Sequence, residues 1–474
     1  MKKSSLFPAA LVVTVLVCGA WLNENSQRKT PPNILVVVID DLGFHDLSRY
    51  GSRIYQTPNI DKLATESYSF RNAYANYPRC LPSRFAMITS SYPVLEFNGS
   101  LSSTAEENNF IREFKKAGYD SYFVGKWHQK GEENSPRGFG FDDSFAANSA
   151  GGIASHFYPY NTKKITAPMG EVEPVKDVEN EGKAGDYLAD VLTEKMMDFV
   201  THHDISKPFF GILSTYAVHS PFEAKQEDID SNDKQIKSFD YGNTPEFVKE
   251  GNGVRKMRQD NAVYAAMVEN MDWNVGRLLN TLKEAGLDKN TIIVFTSDHG
   301  GLSNNGSSGL KLATTNFPLR AGKGHLYEGG IRVPLLIRWP GKIKVKEDNE
   351  SIVLLMDLMP SLLDLAVDGR MKGVDGKSFE NVLNGKEKWN ERAIFFHERM
   401  ARPQTTGDFP CSAVRSGKYK LLHYIENDTF ELYDLSTDIS EENNLVETLP
   451  DVANKMKGEM KAWKAKHLND ENNH

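Results

Sequence analysis

ILVVVIDD (Ile34–Asp41) and TIIVFTSDHG (Thr291–Gly300) decide the fold. Each is an unbroken run of β-branched and apolar residues that ends in acidic residues. With no polar alternation, such a run reads as a strand buried on both faces, as in a parallel sheet. Helical patterns lie between them. YLADVLTEKMMDFV (Tyr187–Val200) is one, and PFFGILS (Pro208–Ser214) after it reads as a strand. AVYAAMVENMDWNVGRLLNTLKEA (Ala262–Ala285) is another, stopped at Gly286. Strands alternating with helices predict an α/β fold, a large sheet with helices on both faces. Ligands in such sheets bind beyond the carboxyl ends of the strands, which is where Asp40, Asp41 and Asp298 fall.

Beyond Gly373 the texture changes. AVRSGKYKLLHY (Ala413–Tyr424) and TFELYDL (Thr429–Leu435) read as short antiparallel strands joined by a turn at Glu426-Asn427-Asp428, and a last helix is expected from Leu449 to Lys466. The expected division is a leader over 1–22, a main α/β domain over 31–372 and a smaller C-terminal α+β subdomain over 373–474. Gln129 to Gly182 is rich in Gly, Asn and Pro. It reads either as a binding loop or as a variable insertion.

The leader reading rests on Lys2 and Lys3 followed by an apolar stretch from Leu6 to about Leu22. That stretch is interrupted by Pro8 and short for a span of about 20 residues. Basic, then apolar, then polar is the layout of a secretory signal. Two ends are open: cleavage after Ala20, or a lipid anchor on Cys18, where Val17 is bulky for such a site. With no second run of spanning length, no membrane span is expected in the mature chain. The balance of 56 basic against 64 acidic residues argues against a general nucleic-acid binder. Cys18, Cys80 and Cys411 are the only cysteines, which excludes a disulfide framework.

CLPSR (Cys80–Arg84), continuing to Thr89, is the densest chemical signal. Cys-x-Pro-Ser-Arg resembles the signature of the type I sulfatases, in the alkaline-phosphatase-like superfamily. The likeness extends, in the family's order, to PNILVVVIDDLG (Pro32–Gly43), TPNIDKLATES (Thr57–Ser67), GKWH (Gly125–His128), AVHSPF (Ala217–Phe222), VFTSDHG (Val294–Gly300) and GKGHLYEGGIRVPLLIRWPG (Gly322–Gly341). The C-terminal KYKLL and ELYDL segments also fit. The resemblance covers about residues 32 to 445. It implies a mixed, mostly parallel sheet sandwiched by helices and a smaller C-terminal antiparallel sheet with a terminal helix.

The chemistry of sulfuryl transfer agrees with this set. An ionised sulfate ester needs positioning and cations around its oxygens, and a divalent metal is the densest source of positive charge. Carboxylates at strand ends are hard ligands that suit calcium or magnesium better than zinc. By resemblance, Cys80 is oxidised by a formylglycine-generating enzyme. Its hydrated aldehyde is the nucleophile, and calcium is held by Asp40, Asp41, Asp298 and the residue at His299 together with the modified Cys80. Arg84 would orient the modified residue, Lys126 would hold sulfate oxygens, and His128 would accept a proton from the hydrated aldehyde. His219 would be general acid to the leaving group, and Lys323 would contact sulfate or share that protonation. His325 and Arg332 are candidates to bind substrate, alongside Arg53, Arg79, Arg320 and Arg402.

Two positions depart from the commoner family pattern. His299 stands where Asn is usual; iduronate sulfatase resembles this chain in carrying Asp-His, and so do phosphatases of the superfamily. Ser90 stands where Gly is usual. The likeness is to exported bacterial glycan sulfatases, which implies a sulfated carbohydrate substrate and a periplasmic or extracellular location. A phosphatase or phosphodiesterase of the same superfamily is the alternative, although Cys80 occupies the place of its Ser or Thr nucleophile. A non-catalytic carbohydrate-binding protein would have lost residues that are present here.

Overall fold

A computed structural model describes residues 31–93, 101, 109–131, 133–160, 165–167, 170–367 and 369–468. The leader and Cys18 lie outside the described residues. The main sheet has eight strands: β1 (Asn33–Ile39), β2 (Tyr68–Tyr74), β3 (Asp120–Gly125), β4 (Asp143–Phe145), β5 (Phe209–Ser214), β6 (Thr291–Ser297), β7 (Arg332–Arg338) and β8 (Lys346–Leu354). Their order is β8-β2-β7-β6-β1-β5-β3-β4. Only β7 runs against its neighbours β6 and β2; all other pairs are parallel.

The register of this sheet builds the site. In the β1–β6 pair Ile39 lies opposite Ser297, so Asp40 and Asp298 leave the sheet side by side. In the β3–β5 pair Gly125 lies opposite Ser214, which brings Lys126 and the segment leading to His219 to the same edge. Gly125 has φ of +94°, and a Cβ there would lie 2.0 Å from the Ser214 carbonyl oxygen, so this crossing requires glycine.

Alternating residues of β1 enter two cores. Leu35, Val37 and Ile39 face one core, which contains residues of the helices later in the chain (Leu188, Leu192, Met267 and Val275). Ile34, Val36 and Val38 face the other, with Phe110, Phe114, Leu358 and Leu362. Burial of both faces explains the absence of polar residues along Ile34–Ile39 of β1. Helix α1 (Cys80–Thr89) enters the site at its first residue; α2 (Leu188–His202) and α3 (Ala262–Glu284) cover the first face.

The C-terminal sheet is an antiparallel meander of β9 (Ile394–Glu398), β10 (Cys411–Ser416), β11 (Tyr419–Tyr424) and β12 (Thr429–Asp434). Helix α4 (Pro450–His467) packs Ala453, Met456 and Met460 on Val414, Leu421 and Leu432. Two details differ from the sequence reading. The run Ala413–Tyr424 is two strands, turned at Gly417 with φ of +56°, and β9 was not anticipated at all. The second sheet is joined to the first through a core containing Tyr74, Ile352, Ile394 and Cys411. A buried ionic cluster reinforces the joint. Lys420 Nζ lies 3.1 Å from Glu328 Oε1 and 2.8 Å from Glu441 Oε1, and Arg332 is 2.7 Å from Glu328 Oε2.

Ser90 ends α1 in the left-handed region, at φ of 56°. Its carbonyl accepts hydrogen bonds from the backbone N–H groups of Asp375 and Gly376. A left-handed residue at a helix end is the position that favours glycine, which accounts physically for the family's preference there.

Candidate active site

The acidic centre is assembled from strand ends. Asp40, Asp41, Asp298 and His299 are all buried and place one ligand atom each within 4.8 Å of the others; Asp40, Cys80 and His299 form a second such group. Asp41 adopts the left-handed backbone, φ 62°, and its N–H donates to Asp298 Oδ1 at 3.2 Å. Strained backbone of this kind concentrates at functional sites.

Cations surround the carboxylates. Lys126 Nζ donates to Asp40 Oδ2 at 2.5 Å. Lys323 Nζ donates to both oxygens of Asp41, each at 2.8 Å. Arg84 donates through Nε to Asp298 Oδ2 at 2.9 Å, and through Nη1 to the Lys126 carbonyl and to Ser214 Oγ at 2.8 and 2.5 Å. His219 Nε2 stands 3.8 Å from Asp41 Oδ2, and its Nδ1 is 2.7 Å from the Ser220 carbonyl oxygen. His299 Nε2 is 3.2 Å from Asp41 Oδ1.

These contacts shift the titrations. Burial works against the Cys80 thiolate, yet the Lys126 charge and hydrogen bonds with His128 and His299 hold the thiol well below its ordinary range. Burial also opposes a charged His299, but the carboxylates of Asp298 and Asp41 raise it to about 8. The Asp298 carboxyl is held low, against its burial, by His299 and Arg84. Burial and the nearby Lys323 charge lower His219.

The structure therefore brings Cys80, Arg84, Lys126, His128, His219, Lys323, Asp40, Asp41, Asp298 and His299 to one place. His325 is close by: its Nε2 is 3.0 Å from the Thr406 carbonyl oxygen, and its ring lines an adjoining cavity. Arg332 is not brought to the site. Its guanidinium donates to Glu328 Oε2 at 2.7 Å, the Arg71 carbonyl at 3.0 Å and Tyr74 Oη at 3.1 Å, so it braces the joint between the sheets. Arg320 is likewise held by Glu250, at 2.8 Å. Sequence reasoning missed the C-terminal loop beside Cys80, where Asp408 pairs with Arg79 at 2.6 Å. It also missed Gly151 and Gly152, which lie against the rings of His128 and His219. The Gly-Gly pair inside the loop-rich segment was the one signal available.

A family model described as Sulfatase matches residues 32–368, and one described as N-sulphoglucosamine sulphohydrolase, C-terminal, matches residues 321–466. A sulfatase of Formosa agariphila is 28% identical, covering 98% of this chain and 94% of its own. An N-acetylgalactosamine-6-O-sulfatase of Bacteroides thetaiotaomicron is 27% identical over 91% of this chain and 93% of its own. Among solved structures, that of Ps i-CgsB in complex with k-i-k-neocarrahexaose superposes with a TM-score of 0.72 at 26% identity, covering 93% of this chain and 94% of that one. The signature at Cys80–Arg84, the carboxylates at the strand ends and a family match across most of the chain lead to one conclusion: this chain belongs to the Sulfatase family and is a sulfuric ester hydrolase.

Proposed function

We propose that the chain removes sulfate from a sulfated carbohydrate, using formylglycine made from Cys80 and a divalent cation, calcium, at the Asp40–Asp41–Asp298–His299 cluster. The carrying observation is the convergence of Cys80 with those four residues, Lys126 and His128 at one sheet edge. A cation fits the donor set: Asp40 Oδ1 is buried without a hydrogen-bond partner, and three carboxylates supply hard oxygen atoms. Bound there, the cation would supply a dense positive charge for sulfate oxygens. Formylglycine at position 80 would supply an electrophilic carbon that takes up water and so presents a hydroxyl nucleophile.

The chain's own residues do the rest. Lys126 and Lys323, both buried, present ammonium groups to a sulfate anion where the surrounding protein strengthens charge interactions. Arg84 fixes Asp298, and its bond to the Lys126 carbonyl fixes the start of the Lys126–His128 segment. His128, with Nδ1 buried and unpartnered, is placed to take a proton at residue 80. His219 is lowered in the free protein, but an arriving sulfate anion favours its protonated form, so the ring can donate from Nε2 to the leaving oxygen.

The substrate class is supported by the relatives named above, and the leader-like N-terminus supports export. The test is sulfate release from a panel of defined sulfated oligosaccharides, with mass spectrometry of the Cys80 peptide and elemental analysis for calcium. Full activity with an unmodified thiol overturns the formylglycine assignment. Loss of activity in Cys80→Ala, with the fold retained, is expected.

A further inference from the structure

A cavity of about 370 Å³ lies between the C-terminal sheet and the main domain, a size in the range of small-ligand sites. It adjoins the catalytic centre through two residues. Asp408, in its wall, is 2.6 Å from Nη2 of Arg79, the residue before Cys80. His325, also in its wall, follows Lys323 by two positions and stacks at 20° on Tyr327.

The lining has the chemistry of a sugar site, with planar hydrogen-bond acceptors beside aromatic faces. Glu250, Asp408, Glu426 and Glu431 contribute carboxylates, and Tyr327 and Tyr424 contribute rings whose hydroxyls lie 2.8 Å apart. The charge is one-sided. Among the described lining residues Arg320 is the one arginine and there is no lysine; Arg320 is engaged by Glu250 at 2.8 Å and Asp408 by Arg79 at 2.6 Å, and among the described residues neither Glu426 nor Glu431 has an ion-pair partner. Burial lowers the His325 pKa and so disfavours a charged ring there. Glu431 accepts from the Tyr327 and Tyr433 hydroxyls, at 2.6 and 2.9 Å, which are neutral donors. An anionic group entering this cavity would meet the Glu426 and Glu431 carboxylates, which no cation among the described lining residues balances, and like charge is an efficient means of rejecting a competing ligand.

We propose that this cavity is the subsite for a neutral sugar ring joined to the sulfated one, and that its carboxylates exclude a uronate or a second sulfate there. This deepens, and rests on, the proposed carbohydrate sulfatase function. The substrate would be a glycan in which the sulfated residue has an uncharged neighbour, rather than one in which every second ring carries a carboxylate.

The experiment uses pairs of sulfated disaccharides that differ only in the second ring, galactose in one and glucuronate in the other. The sulfated ring is varied among galactose, N-acetylgalactosamine and glucosamine, and the matured full chain is assayed for kcat/KM. In the pair turned over fastest, the galactose member is expected to lead by at least tenfold. Glu426→Gln, at an exposed turn, should narrow that ratio, and Glu426→Lys should narrow it further. Equal rates within the pair, a lead for the glucuronate member, or a ratio unmoved by both substitutions would overturn the proposal. Calorimetry of the same pairs on Cys80→Ala protein reads the preference without turnover. A preserved preference there, with no sulfate released by the parent protein, would locate the failure in the catalytic reading and not in the subsite.

Discussion

Lys323 holds Asp41 with one ammonium group set 2.8 Å from both carboxylate oxygens. The pair is buried, and the Asp41 charge holds the Lys323 ammonium above its ordinary range against the cost of burial. In the proposed mechanism the lysine does two things: it neutralises a carboxylate of the proposed cation cluster and it presents positive charge to the substrate. Lys323→Ala is expected to lower kcat/KM for sulfate ester hydrolysis by about 100-fold, the scale for loss of one preorganised charge partner. It should also tighten calcium binding in calorimetry, because a competing positive charge is gone. An unchanged kcat/KM would remove Lys323 from the machinery.

Gly151 and Gly152 make a paired prediction. A Cβ on Gly151 would fall 2.3 Å from His128 Nε2, whereas one on Gly152 would come no nearer than 3.7 Å to the His219 ring. Gly151→Ala must push the His128 ring aside. It is expected to cost at least tenfold in kcat while leaving thermal unfolding within a few degrees of the parent. Gly152→Ala should be tolerated. Equal effects of the two substitutions would show that the loop, and not the contact with His128, sets the rate.

Ser90→Gly should stabilise the protein. The left-handed backbone costs a residue with a side chain about 1–2 kcal/mol, and part of that gain is returned as chain entropy of the glycine. A net increase of about 0.5–1 kcal/mol is expected in urea unfolding, with the slope unchanged. A loss of stability would mean that the contact of Ser90 Oγ with the Met371 sulfur, at 3.4 Å, outweighs the backbone term.

Acid should unfold the chain through buried histidines outside the catalytic centre. Burial lowers His156 to about 4 and His397 to about 3. Both are neutral in the folded state, while the unfolded chain takes up a proton below about 6.5. Their contribution is therefore complete above pH 6.5 and is lost as pH falls towards 4, at up to about 1.4 kcal/mol per pH unit for each group. Replacing His397 by Phe should flatten the fall in melting temperature between pH 6.5 and 4. An equal slope in parent and variant would exclude this cause.

The parallel sheet was legible because the middles of β1 (Ile34–Ile39) and β6 (Ile292–Phe295) carry no polar residue, a pattern that two-sided burial explains. The strand-end acids were legible for the same reason, since ligands in open α/β sheets bind beyond the carboxyl ends of the strands, where these acids fall. Arg332 was misplaced because a sequence does not show that a guanidinium four residues after Glu328 will fold back on it inside a core. The run Ala413–Tyr424 alternates as one strand would, and only Gly417 marks the turn that divides it. Asp408 could not be assigned, because its partner Arg79 is 329 positions away and the pairing depends on the docking of two sheets.

The buried Lys420–Glu328–Glu441 cluster makes the two sheets mechanically one object. Glu328 lies five residues from Lys323, so the segment that carries the Asp41-bound ammonium is riveted to the tail of the polypeptide. A premature stop before Glu441 would leave every signature motif intact and still leave two buried cations, Lys420 and Arg332, sharing the one carboxylate of Glu328 beneath the Lys323 segment. Damage far downstream would be felt first as a loss of chemistry.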